Sequence, residues 1–253
     1  MRRRGEKILF YVCVVALWQV VYTLRVWPPY LFPSPLSVVE SLQAGLADGS
    51  IPTAIGVSMR RIAIGYAVSV LFGILLGLLI ATSHFLESTV GSLVLSLQSL
   101  PSICWLPFAV LWFGLSESAI IFVVLMGSLL SVTINTESGV RNVPKIYLLA
   151  GRNLGARGIS LFWSVLLPAS LPHLVSGLKQ GWAFAWRSLI AGEMIFVSLG
   201  LGHLLMMGRD LNDMSQVLAV MTLVMLLGYL VDRIVFVNVE RQMRARWGFT
   251  TAT

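Results

Sequence analysis

The hydrophobic residues of this chain fall in long runs rather than in alternation. Residues 8–27, 62–81, 91–113, 118–135, 173–197 and 215–237 are each predominantly apolar. A helix rises about 1.5 Å per residue, so a run of about 20 residues crosses a hydrocarbon core of about 30 Å. The pattern predicts six transmembrane helices. Between the first two runs Pro28, Pro29, Pro33 and Pro35 fix φ and remove backbone donors. Regular helix in lipid is excluded there, and an external loop is expected. Leu36, Val39, Leu42 and Leu46 then recur at three and four, with Glu40 and Gln43 on the other face. That spacing predicts a short amphipathic helix lying in the interface.

Within the spans, three features stand out. Gly65, Ser69, Gly73, Gly77 and Ala81 fall at strict four-residue intervals after Arg60 and Arg61, which are expected to precede the second span. Such a stripe lets a second helix backbone approach closely. The third span holds Gln98, Pro101, Trp105 and Pro107, and its two internal prolines each free a carbonyl and bend the helix. Irregular backbone at membrane depth is tolerated where it is buried or lines a water-filled cavity, so residues 98–107 are a candidate pathway wall. The fifth span holds Lys179, Arg187 and Glu193. Lys179 is close enough to the inner end to snorkel. Arg187 and Glu193, six residues apart, point about 240° from each other around a helix and are expected to find partners on other helices.

Composition agrees with a polytopic membrane protein: 57% of residues are hydrophobic and 11% charged, against about a quarter charged in soluble domains. The net charge of +7 does not imply nucleic acid, because the bases cluster at the ends of the apolar runs. With six spans, Arg2, Arg3, Arg4, Lys7, Arg141, Lys145, Arg152, Arg157, Arg241, Arg244 and Arg246 fall on one side. Arg25, Arg60, Arg61 and Arg209 fall on the other, a ratio of eleven to four. The positive-inside rule then puts both termini in the cytoplasm. The first run is too long for a signal-peptide core and no small-residue cleavage site follows, so it is expected to be retained.

The longest wet stretch is the interval 136–172, placed in the cytoplasm by the same rule, and a second polar loop is expected over 198–214. The chain lacks GxxxxGK[ST], HExxH and GxSxG, and Cys13 and Cys104 form no CxxC pair. No catalytic constellation, standard ATP cradle or bound cofactor is therefore expected. His84, His173 and His203 sit far apart at span ends.

The interval resembles the pattern EAA, three residues, G, nine residues, I-x-LP of permease subunits of binding-protein-dependent ABC importers. Ala150, Gly155, Leu167 and Pro168 match in register. Gly151 stands for the second alanine, Val165 for the isoleucine and Leu149 for the glutamate. Further matching stretches are Leu31-Phe32-Pro33-Ser34-Pro35, Leu106-Pro107 with Leu111-Trp112-Phe113-Gly114, Asn135-Thr136 with Gly139 and Arg141, and Ala185-Trp186 with Ala191-Gly192-Glu193-Met194. Taken together they resemble the subfamily for sulfonates, taurine, nitrate, bicarbonate and pyrimidine vitamin precursors.

The resemblance implies an all-α membrane protein of type I importer architecture, one permease domain over 1–253. An extra helix would occupy about 8–27, core helices about 62–237 and a cytoplasmic coupling segment about 140–172. It implies a permease in the bacterial cytoplasmic membrane, most often a homodimer, surrounded by lipid. A separate ATPase dimer would carry ATP and Mg, and an extracytoplasmic binding protein would deliver the solute. Coupling falls to Ala150, Gly151, Arg152, Asn153, Leu154, Gly155, Ala156 and Arg157. Pathway candidates are Gln98, Pro101, Trp105, Trp182, Trp186, Arg187 and Glu193. The rival reading is an ATP-independent carrier or channel.

Overall fold

The computed structural model describes residues 2–246 apart from Val197. Val197, the expected end of the fifth span, and the side chains of the terminal bases Arg2, Arg3, Arg4, Lys7, Arg244 and Arg246 lie outside the described residues. Every regular element among the described residues is helical. In chain order they are α1 (Arg2–Thr23), α2 (Pro35–Ala47), α3 (Ser50–Ala81), α4 (His84–Gln98) and α5 (Ser102–Phe113). There follow α6 (Glu117–Arg141), α7 (Lys145–Asn153), α8 (Gly158–Ile195), α9 (Leu201–Asp210) and α10 (Met214–Met243).

By length and apolarity α3, α6, α8 and α10 can each cross a membrane, and α4 with α5, bent by 102° at their junction, are long and apolar enough to do so only when taken together. The apolar part of α1, Ile8–Thr23, is shorter. The third span is therefore two helices joined at a sharp break rather than one kinked helix. Pro101 has φ −55° and ψ 137°, the extended backbone that the missing N–H and the ring favour.

Three boundaries differ from those expected. Arg60 and Arg61 lie inside α3 rather than before it. Both pair with Glu117 at the start of α6, Arg61 Nε at 3.3 Å, and that pairing lets Arg61 sit 4% exposed in a helix. Next, α6 runs on to Arg141 and α8 begins at Gly158, so the wet interval shrinks to residues 142–157. Pro168 and Pro172 are carried inside α8, just after a π-turn at Phe162–Leu166 that breaks the regular ladder where the proline N–H groups are missing. Finally, the expected loop 198–214 contains α9.

The chain forms two compact units, one of residues 59–192 and 228–253 and the other of residues 1–58 and 193–227. In the first, α6 is the central helix, with 56% of its apolar stretch buried against 28% for α3. A Cβ on Gly65, Gly73 or Gly77 of α3 would come within 2.7 Å of Val124, 2.9 Å of Val132 and 2.5 Å of the Thr133 carbonyl. Ser69 donates to the Leu125 carbonyl at 3.1 Å. The small-residue stripe thus seats α3 directly on the α6 backbone. A second stripe, on α8, was not read from the sequence. A Cβ on Gly181 would lie 2.6 Å from Val132 and one on Gly192 3.4 Å from Ile120, while one on Gly139 or Gly127 of α6 would strike His173 or Ser188.

In the second unit the proline loop is tied down by Trp18, whose indole N–H donates to the Pro33 carbonyl at 2.9 Å. Ser34 caps α2, accepting from the Ser37 N–H at 3.0 Å, and Pro35 opens the helix with φ already set. Leu36, Val39 and Leu46 remain exposed on α2. Gly208 of α9 packs on Val217 of α10, where a Cβ would lie at 3.0 Å.

Candidate functional site

Helix α7 occupies the centre of the residues 142–157 that separate α6 from α8. It starts at Pro144 and ends in a Schellman turn: the Gly155 N–H donates to the Arg152 carbonyl at 3.0 Å and the Ala156 N–H to the Gly151 carbonyl at 3.0 Å. Gly155 has φ +92° and open space where a Cβ would go, so glycine stands there for its left-handed backbone. The close approach is made by Gly151, buried against α8, where a Cβ would lie only 2.7 Å from Val165. Val165 sits in the π-turn at Phe162–Leu166, so two residues of the motif, ten and more positions apart, meet face to face.

At its other end α7 follows the last turn of α6, where Arg141 is held by Glu87 of α4 at 2.6 Å and by Glu137 at 3.4 Å. His84 adds a contact to Glu87 at 2.8 Å. The end of α6 that leads into α7 is thus fastened to α4, and α7 itself packs on α8. Ile146, Tyr147, Leu149 and Leu154 are exposed, Leu154 at 89%, as are Lys145 and, in α8, Ile159 and Trp163. Ala150, Arg152, Asn153 and Arg157 are exposed as well, and Ala156 is half-buried.

Three of the seven expected pathway residues converge. Gln98, Pro101 and Arg187 line one cleft of about 360 Å³ beside the break between α4 and α5, together with Ser99, Ser102, Gly127 and Phe184. Arg187 is exposed, its Nε donates to the Ala183 carbonyl at 3.1 Å and its guanidinium lies 4.9 Å from the Phe184 ring centre. Trp182 and Trp186 form a separate stack at 6.2 Å with an interplanar angle of 19°. Tyr66 meets Trp182 edge-on at 5.3 Å, and Phe236 adds a tilted contact at 6.5 Å. The buried indole nitrogen of Trp182 has no hydrogen-bond partner. Trp105 is half-buried and stands beside Phe108 at 6.1 Å. Tyr66 and Phe184 were not singled out in the sequence, because an aromatic in an apolar span carries no periodic signal that separates it from core.

Glu193 is fully buried. The Ser58 hydroxyl lies 2.8 Å from each carboxylate oxygen, the Gly202 N–H donates to Oε2 at 3.1 Å, and the Leu201 N–H donates to the Ser58 Oγ at 3.0 Å. The carboxylate therefore caps the N-terminus of α9, where negative charge and an acceptor are both favourable. Lys179 pairs with Asp232 of α10 at 3.1 Å and with Glu240 at 3.8 Å.

Against known proteins, residues 69–245 match the family described as the inner membrane component of binding-protein-dependent transport systems. The chain belongs to this family. As a permease it is 32% identical over 236 residues to a protein named for aliphatic sulfonates transport in Escherichia coli strain K12, covering 93% of this chain and 89% of that one. It is 28% identical over 212 residues to the nitrate import permease protein of Synechocystis, covering 80% and 77%. The permease fold is similar to that of the MetNI methionine ABC transporter in inward-facing form, with a TM-score of 0.61 and 21% identity over 73% of this chain and 93% of that one.

Proposed function

We propose that this permease is the membrane subunit of an ATP-driven importer, lining the pathway for a small anionic solute and coupling it to a separate ATPase. The observation that carries the reading is α7. A short helix that exposes Ile146, Tyr147, Leu149 and Leu154, seated with Gly151 against Val165 and closed by a Schellman cap at Gly155, is suited to fit a cleft on another protein and to move with it. The chain supplies shape and hydrophobic area there, with Arg152 and Arg157 for acidic groups on the partner. ATP and Mg bind the ATPase.

In this reading the chain spans the inner membrane six times, α1 included, with both termini in the cytoplasm. It works as two copies surrounded by lipid, the pathway between them, and receives its solute from an external binding protein. The names of the relatives, aliphatic sulfonates and nitrate, support an anion. The permease changes between two states and needs no catalytic residue. The test is uptake into proteoliposomes containing the chain, its ATPase and the binding protein. Uptake is expected only with all three and ATP. Uptake of the same solute by the chain alone, without ATP, would establish a carrier or channel instead.

A further inference from the structure

Arg187 is a cation set into an apolar helix with its charge left open. Its guanidinium is oriented from its own helix, by Nε on the Ala183 carbonyl and by the Phe184 ring beneath it. Among the described residues no carboxylate pairs with it, whereas Lys179 of the same helix is neutralised by Asp232 at 3.1 Å and Arg141 of α6 by Glu87 at 2.6 Å. The cleft it enters carries neutral polar groups, Gln98, Ser99 and Ser102, and no acidic side chain among its described lining. A charge in an apolar span is expensive unless it is paired or wet. The two terminal nitrogens form a planar fork that matches two oxygens of one anion.

We propose that this cleft is an oxyanion station. The terminal nitrogens of Arg187 donate to two oxygens of a nitrate or sulfonate group, Gln98 and Ser102 offer neutral donors from the broken helix, and Phe184 keeps the guanidinium flat. The place of the station in a transport pathway rests on the importer reading; the binding itself does not.

The test is thermal unfolding of the purified full-length chain in detergent, titrated with methanesulfonate, nitrate or chloride at constant ionic strength, and separately with short-chain phosphatidylglycerol. Methanesulfonate and nitrate are expected to raise the midpoint saturably. Arg187→Gln should weaken the half-saturating concentration about 10- to 100-fold, as for loss of a charged hydrogen-bonding group. Arg187→Lys, which keeps the charge and loses the fork, should fall between. Gln98→Glu, which places a carboxylate against the guanidinium, should abolish the response and serves if Arg187→Gln unfolds. An equal response to chloride, a response to the lipid phosphate alone, or an unchanged titration in Arg187→Gln and Gln98→Glu each overturns the station. Anion binding that survives in a chain whose reconstituted complex shows no ATP-driven uptake removes the importer reading and leaves the station standing.

Discussion

The carboxylate of Glu193 accepts the backbone N–H of Gly202 at 3.1 Å, nine residues further along the chain. Gly200, the residue before α9, has no side chain with which to cap the helix, and a Cβ there would lie 2.6 Å from the Glu193 carboxyl group. A buried carboxylate reached from another helix takes the place of the usual Ser or Asp cap, with the Ser58 hydroxyl satisfying the next amide.

Truncating this cap leaves two buried donors without acceptors. Glu193→Ala is expected to destabilise the permease by about 3 kcal/mol or more, the range for removing one member of a buried charged network. Glu193→Gln, which keeps one acceptor oxygen, should cost less. Gly200→Ala should approach the effect of Glu193→Ala by pushing the carboxylate off the amides. Thermal unfolding in detergent ranks the three; an unfolding midpoint in Glu193→Ala equal to wild type would remove the cap from the account.

The two glycines of the α7 segment, Gly151 and Gly155, should fail in different ways. Gly155→Ala places a Cβ on a residue at φ +92°, costing about 1 kcal/mol through the backbone, and Gly155→Asn should recover part of that because Asn tolerates left-handed geometry. Gly151→Val instead drives side-chain atoms into Val165 and lifts α7 from α8. Co-purification of the ATPase with each variant is the readout: Gly151→Val should lose most of it, Gly155→Asn little. Equal loss in both would mean that packing on Val165 is irrelevant to docking.

The α3 stripe was legible because a four-residue spacing of small residues has one physical use in lipid, and the structure seats it on α6 as that use requires. The second stripe was not. Gly127 and Gly139 lie on α6, whereas Gly177, Gly181 and Gly192 lie on α8, and contact divided between two helices leaves too few glycines on either to form an unbroken run of small residues like that of α3. Arg60 and Arg61 read as lying before the span because their neutralising partner, Glu117, is 56 or more residues away. Helix α9 was missed for a similar reason: it is ten residues long and its cap comes from Glu193, so no start signal stands in its own sequence. At the candidate site, the prolines announced irregular backbone, which the structure shows as a break at Pro101, lining the same cleft as Arg187. The motif announced a glycine at position 155, yet spacing alone could not tell a cap from a packing contact.

Overpacking the stripes should weaken the first unit from both sides of α6. Gly77→Leu would thrust into the Thr133 carbonyl and Thr136, and Gly181→Leu into Val132. Each is expected to cost about 1 to 3 kcal/mol, the range for inserting methylenes into a packed core. Because Gly73 and Gly181 press on the same residue, Val132, the pair Gly73→Ala and Gly181→Ala should be non-additive by more than about 0.5 kcal/mol. Additive midpoints would show that the two contacts are independent.

Leu149 tests what the outward side of α7 recognises. It occupies the motif's glutamate position and is 56% exposed, so Leu149→Glu should leave folding within about 0.5 kcal/mol of wild type, as for other surface changes. Its effect on docking depends on the partner surface. Leu149 stands among exposed Ile146, Tyr147 and Leu154, and an apolar cleft built for that side would have to desolvate a new carboxylate. Leu149→Glu is therefore expected to reduce ATPase co-purification and ATP-driven uptake, while Leu149→Met, similar in volume and apolar, leaves both near wild type. A gain of docking with Leu149→Glu, lost again at high salt, would instead reveal a cationic cleft on the ATPase and return the motif carboxylate to the docking chemistry.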